Sequence, residues 1–474
     1  MSLFRAVAWI SLVALSLAAQ PPSPHARKLA RLAIRGGLVL EGNGTPYSGP
    51  KDILIENGKI VNILASGAKS AFVPEAEIDA RGKFILPGFV NLHAHIQDER
   101  AGIPMPVDYC LKLWLACGIT TIRDVGSNFD KSKTLRSESA SGSRPAPHIF
   151  LYRAISPKTP AEAIAAVREA HDQGADGLKF FGQWRDVMQA MSDEANSFGL
   201  RRAHHAGVEE TNAWDDIRNK TASIEHWYGI PDAALPDGVQ HFPPAYNYDN
   251  ELDRFRYAGR LWREADPKRL TEVLKAMVNA QVAWDPTLSI YEASRDIEKA
   301  QNQPQFRDYL HPALEEFFRP NLRNHGSYFV DWTTADEVYW KENYRIWMQA
   351  LREFESLGGV ITTGEDAGFI YKMQGYGYLR ELELHQEAGF PPVKVVQHAT
   401  QNGARVLGRE NEFGRLRPGW QADLIIVNKN PLENFKALYP PGIEWTVKGG
   451  IAYHAPTLMS DVKEMVAKAR AATH

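Results

Sequence analysis

The stretch LPGFVNLHAHIQDER, residues 86–100, decides the reading of this chain. An apolar run ends in two histidines, His93 and His95, one residue apart. In a strand, residues i and i+2 share a face and lie roughly 6.6 Å apart along the backbone. Both imidazoles therefore point the same way, at a spacing that lets them meet one cation. An exposed histidine pair at a strand end would look the same, so the weight of the observation depends on where other metal-capable residues fall.

The chain around this stretch has 474 residues, 44% hydrophobic and 23% charged, enough for a large single-core domain and a smaller companion. A net charge of -3 provides no basic field for nucleic acid or an anionic membrane, so the expected partner is a small molecule. The start, MSLFRAVAWISLVALSLAAQPPSPHA, has a basic Arg5, an apolar run from Ala6 to Ala19, then a small-residue exit and a proline-rich continuation. This is the architecture of a secretory signal peptide over residues 1–19, shorter than the roughly 18 apolar residues of a spanning helix. A periplasmic or secreted protein without a membrane span after signal cleavage is expected. Cys110 and Cys117, in DYCLKLWLACG, are the only cysteines and sit seven apart in a helical pattern. That separates their backbones by roughly 10 Å along the axis, too far for a disulfide.

Both chain ends alternate short β-type runs with turn residues, as in AIRGGLVLEG and DILIENGKIVNILAS, and later in QADLIIVNKNPL and WTVKGGIAYH. Neither set is large enough for its own core, so residues 32–86 and 412–460 are read as the two parts of one β-sandwich. Between them, over 87–411, β-type runs alternate with helical patterns. The candidate strands FILPGFVNLH, ITTIRDVG, HIFLYRA, ADGLKFF, LRRAHH, ASIEH, VAWDPTLSI and GVITTGEDA predict an α/β fold, a (β/α)8 TIM barrel. Two aromatic-rich intervals, 229–280 and 291–340, are longer than barrel loops need to be. They fit either a cap over a site or an extra packed helical layer.

Metal-capable residues recur at the C-terminal ends of these strands, the face on which barrel enzymes build their sites. In ADGLKFF, alternation turns Leu178 and Phe180 toward the helices and Lys179 into the barrel, where an unpaired ammonium is costly to desolvate. His204 and His205 close LRRAHHAG; neighbours on a strand face opposite ways, so one of them points inward, and His205 is the choice made here. His226 closes ASIEHWYG, and Asp366 closes GVITTGEDAG. Tyr228 follows His226 by two residues and is a candidate donor to a substrate carbonyl or carboxylate, or an aromatic packing residue. Arg123 and Asp124 read as structural.

Taken in order, LPGFVNLHAH, GLKFF, SIEHW, TGEDAG, HATQNGARVLG, GRLRPGWQADLIIVNKNPL and VKGGIAY resemble the amidohydrolase superfamily, in its imidazolonepropionase-like and Xaa-Pro dipeptidase-like branch. The resemblance covers nearly all of the chain beyond the leader. It implies a binuclear site in which His93, His95 and Asp366 hold one divalent ion and His205 and His226 the other, bridged by Lys179 as a carbamate formed with carbon dioxide. Zinc is the default by ligand type. Two departures stand out: Glu365 occupies a position where relatives often carry Thr, and the doubled histidine leaves the fifth-strand ligand open between His204 and His205.

The activity implied is hydrolysis of a C–N bond, amide or peptide, by a metal-bridging hydroxide, with Asp366 relaying the proton to the leaving nitrogen. The substrate would be small, such as an Xaa-Pro dipeptide or an N-acyl amino acid, and a cationic cluster would welcome an anionic one. The alternatives are a cyclic amide, lactone or phosphoester on the same site, or an exported barrel that binds metal or ligand without turnover. The oligomeric state is open.

Overall fold

A computed structural model describes residues 23–207, 211–244, 246, 251–321 and 332–473. The leader read from residues 1–19 lies outside them. The chain first forms β1 (Arg31–Val39), β2 (Ser48–Glu56), β3 (Lys59–Ala65), β4 (Ala76–Asp79) and β5 (Phe84–Pro87). It enters the barrel with β6 (Phe89–Ala94) and makes a small hairpin of β7 (Glu99–Arg100) and β8 (Ile103–Pro104). Then follow β9 (Ile119–Asp124), β10 (His148–Ile155), β11 (Gly177–Phe180), β12 (Arg201–His204), β13 (Ser223–Glu225) and β14 (Ala283–Asp285). The last strands are β15 (Leu424–Val427), β16 (Ile443–Lys448) and β17 (Ile451–His454).

Strands from both chain ends share one mixed sheet, in the order β17-β16-β15-β5-β1-β2-β3, with β4 also paired to β1. Its far edge curls back: Ile60 N donates to Trp420 O at 2.9 Å, and Gly419 N to Ile60 O at 2.7 Å, just before β15. The sheet thus wraps a core of its own that includes Ile34, Ile53, Ile85, Leu424 and Ile426. FILPGFVNLH, read as one strand, serves two sheets. β5 pairs with β1 and β15, β6 pairs with β9, and the chain passes between them at Gly88. A Cβ at Gly88 would lie 2.2 Å from Thr120 Oγ1, so only glycine fits this crossing.

The barrel strands are parallel, in the order β6-β9-β10-β11-β12-β13-β14. Residues 360–366 fill the eighth position as an extended segment. Trp284 N donates to Val360 O and Thr362 N to Trp284 O on the β14 side; Leu92 N donates to Thr363 O and Asp366 N to His93 O on the β6 side. The segment pairs only as an isolated bridge between Trp284 and Ile361, and Gly364 explains the close approach. A Cβ at Gly364 would lie 2.5 Å from His93 Cβ and 2.6 Å from Asp285 Oδ2.

The closing helix Ala455–Thr473, which the sequence reading did not anticipate, lies against the helix Val107–Ala116, where Lys112 Nζ pairs with Asp461 at 2.7 Å. Thr446 Oγ1 donates to Leu115 O at 2.7 Å, so the end sheet and barrel share this seam. Cys110 and Cys117 are both buried and free, as their spacing required.

The two long intervals build short helices and the long helix Thr334–Ser356, whose aromatic residues form a buried wall behind β13 and β14. Trp262 stacks on Trp284 with ring centroids 6.1 Å apart, and Tyr291 on Trp340 at 5.9 Å. Trp340 is fully buried and its indole N–H donates to Phe255 O at 3.0 Å. The substitution Trp340→Ala should therefore cost about 3–5 kcal/mol, read as a lowered midpoint in urea unfolding. A midpoint unchanged from the parent would refute the packed-wall description.

Candidate metal centre

The mouth of the barrel at the C-terminal ends of its strands is a cavity of about 670 Å³, whose lining includes His93, His95, Lys179, His205 and Asp366. His95 Nε2 lies 3.1 Å from Asp366 Oδ1, and His93 Nε2 lies 3.7 Å from the same oxygen and 3.4 Å from Lys179 Nζ. His226 Nε2 is 3.8 Å from Asp366 Oδ2. The rings of His93 and His226 are 4.7 Å apart by centroid, those of His205 and His226 4.4 Å. The ligating atoms of His93, His95 and Asp366 all lie within 4.8 Å of one another. All six residues singled out as ligands in the sequence meet here.

Strand register explains how the two adjacent histidines divide. β12 pairs with β11 so that Ala203 lies beside Lys179 and His204 beside Phe180. His204 therefore shares the outward face of Phe180 and reaches Asp216, in the helix Ala213–Asn219, at 2.9 Å. His205, the next residue, falls on the cavity side. Alternation alone would turn His226 outward, because Glu225 already points into the barrel. His226 instead takes φ +62°, and Asp366 takes φ +48°. Such left-handed turns are unfavourable for residues other than glycine, though Asp tolerates them better than most. They let Glu225 and His226, consecutive in the chain, both face the centre.

Beneath the ligands lies a buried ionic layer that the sequence reading only partly foresaw. Arg123, read as structural, is fully buried and donates through Nη2 to Glu225 Oε1 at 2.7 Å, with Asp285 Oδ2 at 3.5 Å and Ser223 Oγ at 2.9 Å from Nη1. Burial raises the Glu225 carboxyl, but Arg123, and then Lys179, outweigh it and hold it below the usual carboxylate range. Asp285, pushed well up by burial and then by Glu225, favours the protonated form. The other oxygen of Glu225 accepts from His93 Nδ1 at 2.7 Å. With Nδ1 carrying the proton, His93 Nε2 presents its lone pair to the cavity. The His93–Glu225–Asp285 group has the donor types of a metal site, but Arg123 already supplies its cation.

Electrostatics prepare the donors. Desolvation draws Lys179 down to about 8, with Glu225 opposing. His93 is held well below the usual imidazole range by burial and then by Lys179, and His226 by burial and then by His93. Asp366 is raised by burial but lowered further by His93 and by the hydrogen bond from His95, so it stays ionised. Neutral imidazoles and an ionised carboxylate are the states metal binding requires.

The arrangement fits a metal on one further observation. His226 Nδ1 pairs with Thr287 Oγ1 at 2.6 Å, while Nε2 is buried and has no hydrogen-bond partner among the described residues. An orphaned imidazole nitrogen aimed at a carboxylate and flanked by two other imidazoles is costly unless a cation meets it.

Tyr228 is buried and stacks on His205 with centroids 5.4 Å apart, among Trp227, Phe255 and Tyr291. It backs His205. Glu365 faces away from the centre and accepts from Asn91 Nδ2, Trp114 Nε1, Gly375 N and Tyr378 N. Burial raises its carboxyl to about 8. Glu225, Asp285 and Thr287 were missed as positioning residues. The signal for the first two was a carboxylate at the end of a strand immediately before or beside a ligand.

A parallel barrel with an imidazole and carboxylate cluster at its C-terminal mouth, joined to a sheet made by both chain ends, is the amidohydrolase fold. The Amidohydrolase family model matches residues 349–452. A dihydroorotase of Aquifex aeolicus is 36% identical over 95 residues, 20% of this chain and 21% of the relative, so the chain matches only about a fifth of that protein's length. Among solved structures, a Xaa-Pro dipeptidase with bound methionine in its active site superposes with a TM-score of 0.64 at 21% identity, covering 90% of this chain and 100% of that one. Bottromycin amidohydrolase superposes at 0.72 with 16% identity, covering 94% and 92%. Over residues 349–452 the chain matches the Amidohydrolase family model, and over most of its length it shares the fold of these solved structures.

Replacing Glu225 by Gln should leave Arg123 without its ionised partner and weaken the hold on the His93 proton. Metal affinity is expected to fall by about 10- to 100-fold, measured by competition with a chromophoric chelator. Unchanged affinity would sever the link between the buried layer and the site.

Proposed function

We propose that this protein is a metal-dependent hydrolase that cleaves the C–N bond of a small amide or peptide, such as an N-acyl amino acid or an Xaa-Pro dipeptide. The observation that carries the reading is the convergence of His93, His95, His205, His226, Lys179 and Asp366, with the buried His226 Nε2 left for a cation. His93, His95 and Asp366 would hold one divalent ion, and His205 and His226 a second. Lys179 would span the two as a carbamate, which turns a buried cation into an anion with two oxygens. Zinc is the ion these donors suit. When bound, such ions lower the pKa of water and polarise a carbonyl.

The chain's own residues account for the rest. Asp366 is held ionised by His93 and His95, so it is able to take a proton at Oδ1 or Oδ2 and return it to the departing nitrogen. Glu225 keeps His93 in one tautomer, and Thr287 orients His226. An exported location, through the leader in residues 1–19, is part of the same proposal.

Elemental analysis of the purified chain should give two divalent ions per molecule, and a panel of N-acyl amino acids, Xaa-Pro dipeptides, cyclic amides, lactones and phosphoesters should show turnover of the linear amides. Asp366→Asn should lower turnover by at least about 100-fold while most of the metal stays bound. Full activity in that variant would sink the assignment of the proton relay, and a metal-free chain active on amides would sink the proposal as a whole.

The carbamate has its own readout. Protein loaded with metal in the presence of 13C-bicarbonate should show a labelled carbonyl resonance that Lys179→Ala lacks, and loading in carbonate-free buffer should leave the ions substoichiometric. A full metal complement without the label would mean that Lys179 acts as an unmodified amine.

A further inference from the structure

A hydrogen-bonded row of titratable side chains runs from the protein surface to the back of the metal centre. Glu355, near the end of the helix Thr334–Ser356, faces His398 Nε2 at 2.9 Å. His398 Nδ1 faces His385 Nδ1 at 3.0 Å, and His385 Nε2 faces Glu381 Oε1 at 3.2 Å. Glu381 and His385 lie one turn apart on the helix Tyr376–Glu387. Glu381, His385 and His398 are fully buried, and Glu355 is partly exposed at the outer end. We propose that His385 is a buried imidazolium, and that its charge secures Glu381 as the anchor of the turn that aims His226 at the metal centre; the positioning role rests on the reading of His226 as a ligand given above.

Each of the three contacts needs one hydrogen between its two heavy atoms. Two neutral imidazoles carry only two, so a neutral pair leaves one contact as two lone pairs face to face, at 3.2 Å or less. Burial draws His398 down to about 4, with the bond to Glu355 opposing, so His398 is the neutral member. The same bond holds the Glu355 carboxyl below its usual range. His398 therefore donates through Nε2 to Glu355 and accepts at Nδ1 from His385. This leaves His385 Nε2 to donate to Glu381. Charge balances in the same way. Among the described residues His385 is the one ion-pair partner of Glu381. The other titratable groups near that carboxylate, Asp285, Tyr344 and Tyr378, bring no positive charge. At the outer end Lys394 Nζ lies 3.9 Å from Glu355. One imidazolium and one lysine thus balance two carboxylates.

Glu381 in turn holds a strained turn. Its Oε1 accepts from Leu288 N at 2.8 Å and its Oε2 from Ser289 N at 2.6 Å, while the Tyr344 hydroxyl donates to Leu288 O. The residue before them, Thr287, has φ +47°, a left-handed backbone that a β-branched residue keeps only where its surroundings enforce it. Thr287 Oγ1 lies 2.6 Å from His226 Nδ1 and so fixes the ring whose other nitrogen faces the centre. Glu381 is a positioning residue for His226, and His385 supplies the counter-charge that keeps it in place.

The test uses the full-length chain labelled with 15N-histidine, metal-free and metal-loaded, at neutral pH. Both ring nitrogens of His385, identified by the signals that vanish in His385→Gln, should carry hydrogen, and His398 should show one protonated and one bare nitrogen. In Glu381→Gln, which removes the counter-charge, one His385 nitrogen should turn bare. A bare His385 nitrogen in the parent, or two protonated ones in Glu381→Gln, would overturn the imidazolium. Chelator competition on the same proteins reads the positioning. Glu381→Gln and His385→Leu should each weaken one of the two ions by about 10-fold or more, and His385→Gln, which keeps a donor for Glu381, should recover part of the loss. Unchanged affinity in both Glu381→Gln and His385→Leu would overturn the positioning role. A parent chain that takes up no metal would overturn the centre itself and, with it, the aiming of His226, while the nitrogen signals would still decide the charge on His385.

Discussion

A guanidinium sealed beneath the barrel mouth sets the geometry of everything above it. Arg123 has no exposure, and moving such a charge out of water costs several kcal/mol even after relaxation. The barrel offsets this with Leu92 O, Ser223 Oγ and two carboxyl groups contributed by neighbouring strands, β13 and β14. Burial, and then Glu225, pushes the Asp285 carboxyl well up, whereas Arg123 holds Glu225 low, so Glu225 is the anion that faces the guanidinium. That anion, Glu225, spends its second oxygen on His93. The tautomer of a cavity-facing imidazole therefore traces back to the position of a buried arginine on the second barrel strand.

The backbone makes a matching contribution. A regular strand presents every other side chain to the barrel interior, too sparse a supply for a site needing several donors at one level. His226 and Asp366 escape this by turning left-handed at the ends of their segments, a conformation that costs of order 1–3 kcal/mol and is found where surrounding structure enforces it. The enforcing contacts are visible: His226 N donates to Asp285 O, its carbonyl accepts from Trp284 Nε1, and Asp366 N donates to His93 O. Gly364 permits the last of these by letting two segments come closer than any side chain would allow.

These causes explain what was legible in the sequence. The α/β class, the barrel and the sheet made from both ends follow from periodicity and turn residues, because those are local signals. His93, His95 and Lys179 were visible because strand alternation predicts their direction, and alternation also separated His205 from His204. Alternation is silent about a residue that leaves the strand, so His226 and Asp366 were reached by their place at strand ends and by family resemblance. Glu225, Asp285 and Thr287 were not found, since their roles consist of long-range pairings with Arg123, His93 and His226. The helix Ala455–Thr473 was missed for a similar reason: its place is set by packing on Val107–Ala116, far away in the chain.

The aromatic inserts support the centre from behind. The described cavity lining comes from the loops after β6, β9, β10, β11 and β12, together with Asp366 and Phe369. Among the described residues of the segments after β13 and β14, Phe317 packs on Arg100 and Phe369 at the rim of that lining. Their tryptophans and tyrosines pack instead behind Trp227, Tyr228 and His226, which is why His226 is fully buried though it borders the centre. The imidazoles of His205 and His226 are thus held against packed aromatic rings, while the described lining beside them carries polar and charged side chains such as Gln97, Asp98 and Lys158.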